Sequence, residues 1–348
     1  MRFMIGYQML PDNALLDLVL ERREAVSEVY FAWPGFASGR GSSGRGDSLL
    51  TNELQNKLLS DLQRLSRGGI ACNLLLNGHC YGRESLARVF YEKIGGVVDY
   101  LRTHIILSSI TTSSPVIAKF LKQNFPELER RASVNMEIGS REGMDYLAEY
   151  FDGYYLRREW NRNRKKIEEI HAWCRQNRRK LYALANSGCL NECSAHNFHD
   201  NLVAHEDEIR AMDNAYDFRG VCREWLARKE KRERFLEVSN FIRPEDVRLY
   251  EGYFDAVKLA TRVNPDPVKV AKAYLDGTYS GNLLDLLEPD HADLFLPEIL
   301  ENKLLPENFG EHVLNCDHDC PNCSRCRDAL AGALVDVEAW NRRHETRR

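Results

Sequence analysis

The sequence predicts an α/β fold, a closed (β/α)8 barrel of the TIM type, on three observations. Short apolar runs of β-branched or aromatic character recur along the chain. Amphipathic, charge-rich segments separate most of them, and the count of such runs between residues 3 and 262 is eight. Alternation of this kind gives a parallel sheet covered by helices, and eight units is the number at which such a sheet closes on itself. An open doubly wound sheet is the alternative, but usually has fewer strands.

Taken in order, the strands are expected at 3–8, 28–33, 71–77, 104–109, 130–136, 153–159, 180–186 and 256–262. The stretches 52–65, 85–100, 114–124 and 162–176 carry apolar residues three and four apart, the spacing of one helix face. The regularity breaks twice. Within a barrel spanning 1–287, an insertion at 187–240 separates the seventh and eighth strands and holds cysteines with His196, His199 and His205. An extension, 288–348, carries a second cysteine group and the charged tail NRRHETRR.

The 348 residues are 43% hydrophobic and 29% charged, ordinary globular values that suit one large domain or two medium ones. A formal net charge of −4 gives no whole-molecule pull toward nucleic acid or anionic membranes. Asp12 and Asp17 interrupt the apolar core a signal peptide needs, and no run approaches the ~20 apolar residues of a membrane span. A soluble, cytoplasmic protein without a membrane partner is therefore expected. In a reducing compartment its ten cysteines are not disulfides by default, and clustered ones point to metal.

Strand residues alternate between the helix layer and the barrel interior, so charge in one register is informative. With Leu156 facing the helices, Tyr155, Arg157 and Glu159 turn inward; with Val257 and Leu259 outward, Lys258 and Arg262 lie inside. Asn77 and Asn135 fall on the interior register of their strands. All lie toward the C-terminal strand ends, where barrel enzymes place their sites, and form the candidate catalytic set. Two readings stand: a net-positive cavity for a carboxylate-bearing ligand, or a structural network in which Arg157, Glu159 and Lys258 neutralise one another.

Near the C-terminus, CDHDCPNCSRC spaces Cys316, Cys320, Cys323 and Cys326 as C-x3-C-x2-C-x2-C. Thiolates so spaced can turn onto one small object, and four suit either a [4Fe–4S] cluster or tetrahedral zinc. The alternative is four free cysteines in a tail. The C-x3-C-x2-C portion is similar to the radical S-adenosylmethionine signature, but that motif normally lies near the start of its barrel, so its place here argues against that chemistry.

Cys189 and Cys193 follow the seventh strand directly, on the expected active face, and Cys222 returns from the insertion as a third ligand. Cys80, past the third strand, reaches the same face and is the candidate fourth; Cys174, mid-helix beside Trp173, is less suited. A three-cysteine cluster with one open iron site also fits chemistry on a substrate. The plain alternative is inert cysteines among ordinary polar histidines.

Two further stretches were weighed. RREWNRNRKK and RQNRRK concentrate basic residues, Arg162, Arg164 and Lys165 among them, near Trp160 and Trp173. RNA backbone contact is one reading; a solvated helix face, partly balanced by Glu168 and Glu169, is the other. GRGSSGRG contains G-x-G-x-x-G at Gly39, Gly41 and Gly44. A dinucleotide site needs that loop to turn tightly from the first strand into a helix. Here it is long, Ser/Arg-rich and follows the second strand, so it reads as a lid or linker.

RASVNMEIGSREGMDYLAEYFDGYYLRREWNRN, LANSGCLNECSAHNFHDN, IRPEDVRLYEGYFDAVKLATR and AKAYLDGTYSGNLLDLL together resemble peptidase family U32, the collagenase-like peptidases. The likeness runs from about residue 4 to 326 and is strongest over 129–285. It implies a (β/α) barrel. It also implies kinship with oxygen-independent hydroxylases that carry a cysteine-ligated [4Fe–4S] cluster and act on ubiquinone precursors, ribosomal RNA or transfer RNA. Prephenate is implicated there as the source of the hydroxyl oxygen, and some relatives work with a partner subunit. Carried over, the resemblance supports Cys189, Cys193 and Cys222 as ligands and makes Arg157, Lys258 and Arg262 sensible for a dicarboxylate. Cysteine spacing varies across the family, and the C-terminal group is not shared by every branch.

The expectation is thus an iron–sulfur redox enzyme with one or two [4Fe–4S] clusters, zinc being an option at the C-terminal group. A peptidase or a non-catalytic RNA-binding module is the alternative. Against the peptidase, the sequence has no H-E-x-x-H and no G-x-S-x-G.

Overall fold

The structure, a computed structural model, describes residues 1–39 and 48–345. Eight parallel strands form a closed barrel: β1 (Phe3–Gly6), β2 (Val26–Ala32), β3 (Ala71–Leu76), β4 (Leu107–Thr112), β5 (Glu129–Ala132), β6 (Gly153–Tyr155), β7 (Lys180–Leu184) and β8 (Ala256–Leu259). Each bonds to the next in sequence, and β8 closes on β1. The (β/α) barrel expected from the sequence is present. Around it run α1 (Ala14–Glu21), α2 (Ser48–Arg67), α3 (Arg88–His104), α4 (Pro115–Asn124), α5 (Arg141–Asp145) and α6 (Arg164–Gln176), while α7 (His196–Ala204) follows β7. Local chemistry starts two of them: Ser114 Oγ accepts from the Ile117 amide at 3.3 Å, and Asn163 Oδ1 from the Lys166 amide at 3.1 Å.

Every strand's bounds shift from expectation by at least one residue, and three of the shifts have a plain local cause. Burial of Phe90, Ile94, Val98 and Leu101 carries α3 through His104, so β4 starts later than 104. Ser133 accepts from the Asn135 amide at 3.2 Å and turns the chain into a 3-10 turn, Val134–Met136, ending β5 early. Finally, β6 has three residues, and Arg157 caps the 3-10 helix Arg158–Arg162. Asn77, Asn135, Arg157, Glu159 and Arg262 therefore stand past their strand ends, Asn135 and Glu159 within 3-10 turns.

Outward strand residues such as Ile5, Phe31, Leu74, Ile110 and Leu259 are wholly buried under the helices. Inside, Met4, Tyr30, Leu75, Tyr155, Tyr182 and Leu184 pack together. Toward the N-terminal end the interior is charged. Arg131 pairs with buried Glu28 and, at 2.7 Å, with Glu129. The Tyr182 hydroxyl and Lys180 Nζ donate to Glu129 at 2.6 and 2.8 Å, and Ser109 Oγ donates to Glu28 at 3.1 Å. Mutual pairing is what makes such burial of charge tolerable.

Beyond the barrel, β9 (Glu298–Leu300) and β10 (Leu334–Asp336) form an antiparallel pair. The helix Arg325–Ala333 packs on the short helix Phe235–Val238. There the Glu237 carboxylate, 2% exposed, accepts from Arg234 at 2.7 Å and from Arg327 at 2.6 Å, tying the segment after β7 to the extension. No described helix is long and apolar enough to cross a membrane.

Candidate metal and substrate site

The C-terminal strand ends carry the candidate residues. Asn77 Oδ1 accepts from the Gly39 amide at 3.1 Å. A side chain built on Gly39 would meet Asn135 Nδ2 at 2.5 Å and Asn77 Nδ2 at 2.9 Å, so both amides press on that backbone. Arg262 Nη2 donates to the neighbouring Ser38 Oγ at 3.0 Å. The Lys258 ammonium lies 4.0 Å from the Tyr30 ring centroid and 5.4 Å from that of Tyr155, cation–π contacts inside the barrel. Arg157 Nε donates to Glu159 at 3.0 Å, with Glu192 a second partner at 3.3 Å. The six residues therefore split: Arg157 and Glu159 neutralise each other, Lys258 sits among aromatic faces, and Asn77, Asn135 and Arg262 gather against Ser38 and Gly39. Gly41 and Gly44 lie outside the described residues.

Above this mouth opens a cavity of about 1570 Å³, between Tyr7, Met9, Pro34 and Arg262 of the barrel and Phe198, His199, Arg210 and Phe218 beyond β7. Cavities of this kind bury small ligands against apolar walls with a few polar groups.

Cys189, Cys193 and Cys222 do not line this cavity themselves. Gly188 fixes the first: a side chain there would stand 2.0 Å from the Pro289 carbonyl oxygen, so only glycine lets the chain pass, and His291 Nε2 holds the Gly188 carbonyl at 3.0 Å. Cys222 Sγ packs at Gly220, which the His199 ring also approaches, linking the thiols to the cavity wall. Cys189 lies near enough to Cys193 and Cys222 to disfavour their ionisation. Burial first, then Cys189 and Cys193, push the Cys222 thiol up to about 11, and Cys193 is raised by burial and by Cys189. Cys80, the expected fourth ligand, lies past β3 and lines a separate cavity with His205.

A buried polar cluster that the sequence reading did not assemble backs these thiols. Arg158 Nη1 donates to Cys189 Sγ at 3.6 Å and its other arm meets His196. His196 Nδ1 lies 2.9 Å from Glu137, and its Nε2 lies 3.4 Å from the buried Asp200 carboxylate. The available signal was the four-residue spacing of His196 and Asp200, one face of α7.

In the extension, Cys316, Cys320, Cys323 and Cys326 line one small cavity of about 20 Å³ with His312 and Glu237. Burial raises the Cys326 thiol to about 11, with the other three thiols adding to it against the opposing Arg162 guanidinium. Among the described residues, no group of three or more His, Cys, Asp or Glu side chains is arranged to hold a metal ion. In both groups the thiols are neighbours without being a closed coordination shell.

Two arginines of the basic stretch turn inward. Arg158 and Arg162 are buried, and Arg162 donates to the carbonyls of Phe241 and Leu236 at 3.0 Å each. Arg164 Nε bonds Asn315 at 2.6 Å. These arginines bind the protein's own backbone and side chains, so Arg162 offers no phosphate contact.

No protein-family profile matches the chain. A curated relative, the "Uncharacterized protease MJ1657" of Methanocaldococcus jannaschii, aligns over 330 residues at 26% identity, spanning 92% of this chain and 93% of that protein. Among solved structures, the U32 peptidase Mk0906 superposes with a TM-score of 0.52 at 15% identity, covering 74% of this chain and 91% of that one. The chain shares the fold of that U32 peptidase. At that identity the U32 structure bears on the fold alone. The sequence resemblance to U32 peptidases, the barrel and the near full-length alignment to a curated protease agree.

Proposed function

We propose that this U32-like protein is an iron–sulfur redox enzyme acting on a small carboxylate-bearing substrate. The observation that carries the reading is the proximity of Cys189, Cys193 and Cys222, with the buried Arg158 guanidinium 3.6 Å from Cys189 and with Gly220 and His199 leading from Cys222 toward the large cavity that Arg262 lines. Soft thiolate donors of this number suit a [4Fe–4S] cluster with one iron left open. Held by Cys189, Cys193 and Cys222, such a cluster would supply redox chemistry to the substrate. The chain's own residues do the rest. Arg262 and Lys258 provide cationic charge for a carboxylate, Arg158 hydrogen-bonds a ligand sulfur, and the His196–Glu137 pair can hold a proton at Nδ1. Cys316, Cys320, Cys323 and Cys326 would hold a second cluster or a zinc ion of structural character.

Purification without oxygen tests this. Broad absorbance near ~400 nm, with iron and sulfide, is expected, and is to be lost on Cys189→Ala, Cys193→Ala or Cys222→Ala. A colourless, iron-free preparation would sink the proposal. Peptide hydrolysis is the second reading, favoured by the names of the two matches. Casein cleavage that persists in Cys189→Ala would support it.

A further inference from the structure

The cavity above the barrel mouth is larger than a small acid needs. Its volume of about 1570 Å³ exceeds the ~300–1,000 Å³ usual for drug-sized ligands. Its two sides also differ in chemistry. The barrel side is made by the ends of β1, β2 and β8 and brings in Arg262. The outer side is helical and apolar. Leu54 and Leu58 stand four residues apart on α2, and Phe198 and Leu202 four apart on α7, so each helix turns one apolar stripe to the cavity. Leu54, Leu202, Val203 and Ile209 are only half-buried, and their apolar surface stays wet unless something apolar fills the space. Phe218 joins this wall edge-on to Phe198, with ring centroids 5.2 Å apart.

The acidic groups at the cavity wall are matched within the protein. The Tyr7 hydroxyl donates to Asp61 at 2.8 Å, and Lys57 pairs with the same carboxylate at 2.8 Å. Glu206 pairs with Arg210 one helical turn on, and Asp217 with Arg219 at 2.7 Å. Arg262 is placed by the barrel. A side chain on Gly6 would stand 2.8 Å from its Cγ, so the glycine that ends β1 gives the stem its room, and Nη2 donates to the Ser38 hydroxyl at 3.0 Å. A guanidinium carries five N–H donors, and a carboxylate takes two of them side by side.

We propose that this cavity binds a straight-chain alkanoate, with the carboxylate on Arg262 and the chain between the stripes of α2 and α7. This assignment rests on the carboxylate role given to Arg262 above and supplies the rest of the ligand, an apolar tail. The two stripes offer hydrocarbon, which suits a chain with no polar groups along it. Sugar hydroxyls laid against them would lose water without a replacement.

The test uses the full chain purified without oxygen and the fluorescent polyene acid cis-parinarate as probe, displaced by butanoate, octanoate and dodecanoate. Each methylene moved out of water adds about fourfold to affinity, so octanoate displaces the probe roughly 10²-fold better than butanoate. Leu202→Gln, on the half-buried α7 stripe, weakens dodecanoate at least ~10-fold and leaves butanoate alone. Arg262→Gln weakens dodecanoate at least ~10-fold and leaves dodecanol alone. The proposal is overturned if octanoate competes no better than butanoate, if Leu202→Gln weakens both acids equally or neither, or if Arg262→Gln has no effect on dodecanoate. Iron and sulfide counted on the same samples keep the two readings apart. An iron-free protein that shows the chain-length series sinks the cluster and supports this site, and an iron-loaded protein without the series does the reverse.

Discussion

The Arg158 guanidinium donates to the Cys189 sulfur across 3.6 Å while its other arm meets His196. With 4% of its side chain exposed, Arg158 is the cation that offsets Glu137 in this pocket. Arg158→Ala leaves Glu137 with His196 as its partner but removes the hydrogen bonds to Cys189 and His196, and is expected to lower unfolding free energy by about 1–3 kcal/mol. Urea denaturation measures it. Arg158→Lys keeps the charge without the fork and should recover only part of the loss.

Acid stability should depend on the barrel floor. Burial alone would raise the Glu129 carboxyl, but Arg131, Lys180 and Tyr182 outweigh it and hold it at about 2, against an ordinary 4.5. A carboxyl depressed on folding stabilises the fold fully above its unfolded value and loses that contribution as pH falls from 4.5 toward 2. Glu129→Gln should therefore be less stable than the parent at neutral pH, and the gap should close toward pH 2. Thermal melts across that window decide it.

Arg162→Ala should damage folding and leave RNA affinity alone. Its guanidinium lies 4.4 Å from the Phe241 ring centroid and serves two backbone carbonyls, so removal orphans buried acceptors at about 1–3 kcal/mol. Equal salt-dependent RNA retention by parent and variant, with a lower unfolding midpoint, is the expected pair of results.

Metal capture by the cysteine groups should release protons. Burial first holds the Cys222 and Cys326 thiols up at about 11, so both are protonated at neutral pH and must ionise to ligate. Zinc or ferrous iron added to metal-free protein should acidify an unbuffered solution, and retention against a chelator should grow with pH. Retention that is flat across neutral pH would remove the thiols from the coordination shell.

The barrel was legible because outward residues such as Val29, Phe31, Leu74 and Leu259 are apolar in a two-residue rhythm that only a strand produces. Its charged floor was not read, although the register was there: stepping back by two from Asn135 reaches Ser133 and Arg131, and from Tyr30 reaches Glu28. Arg157 and Glu159 were placed on a strand that stops at Tyr155, because periodicity does not reveal a 3-10 turn. The thiols were visible as spacing. The Arg158–His196–Glu137 cluster was not, since its members come from three separate elements and meet only once the barrel has closed.

Glu237 also has a consequence for how the molecule responds as a whole. One secluded carboxylate grips an arginine from each of two chain segments and borders the tail thiols. Charge or bulk arriving among those sulfurs is felt first by this shared anchor, and through it by the stretch that bears Cys222 and His205. Loss of that one carboxylate would free both arginines at once and loosen the extension from the segment after β7.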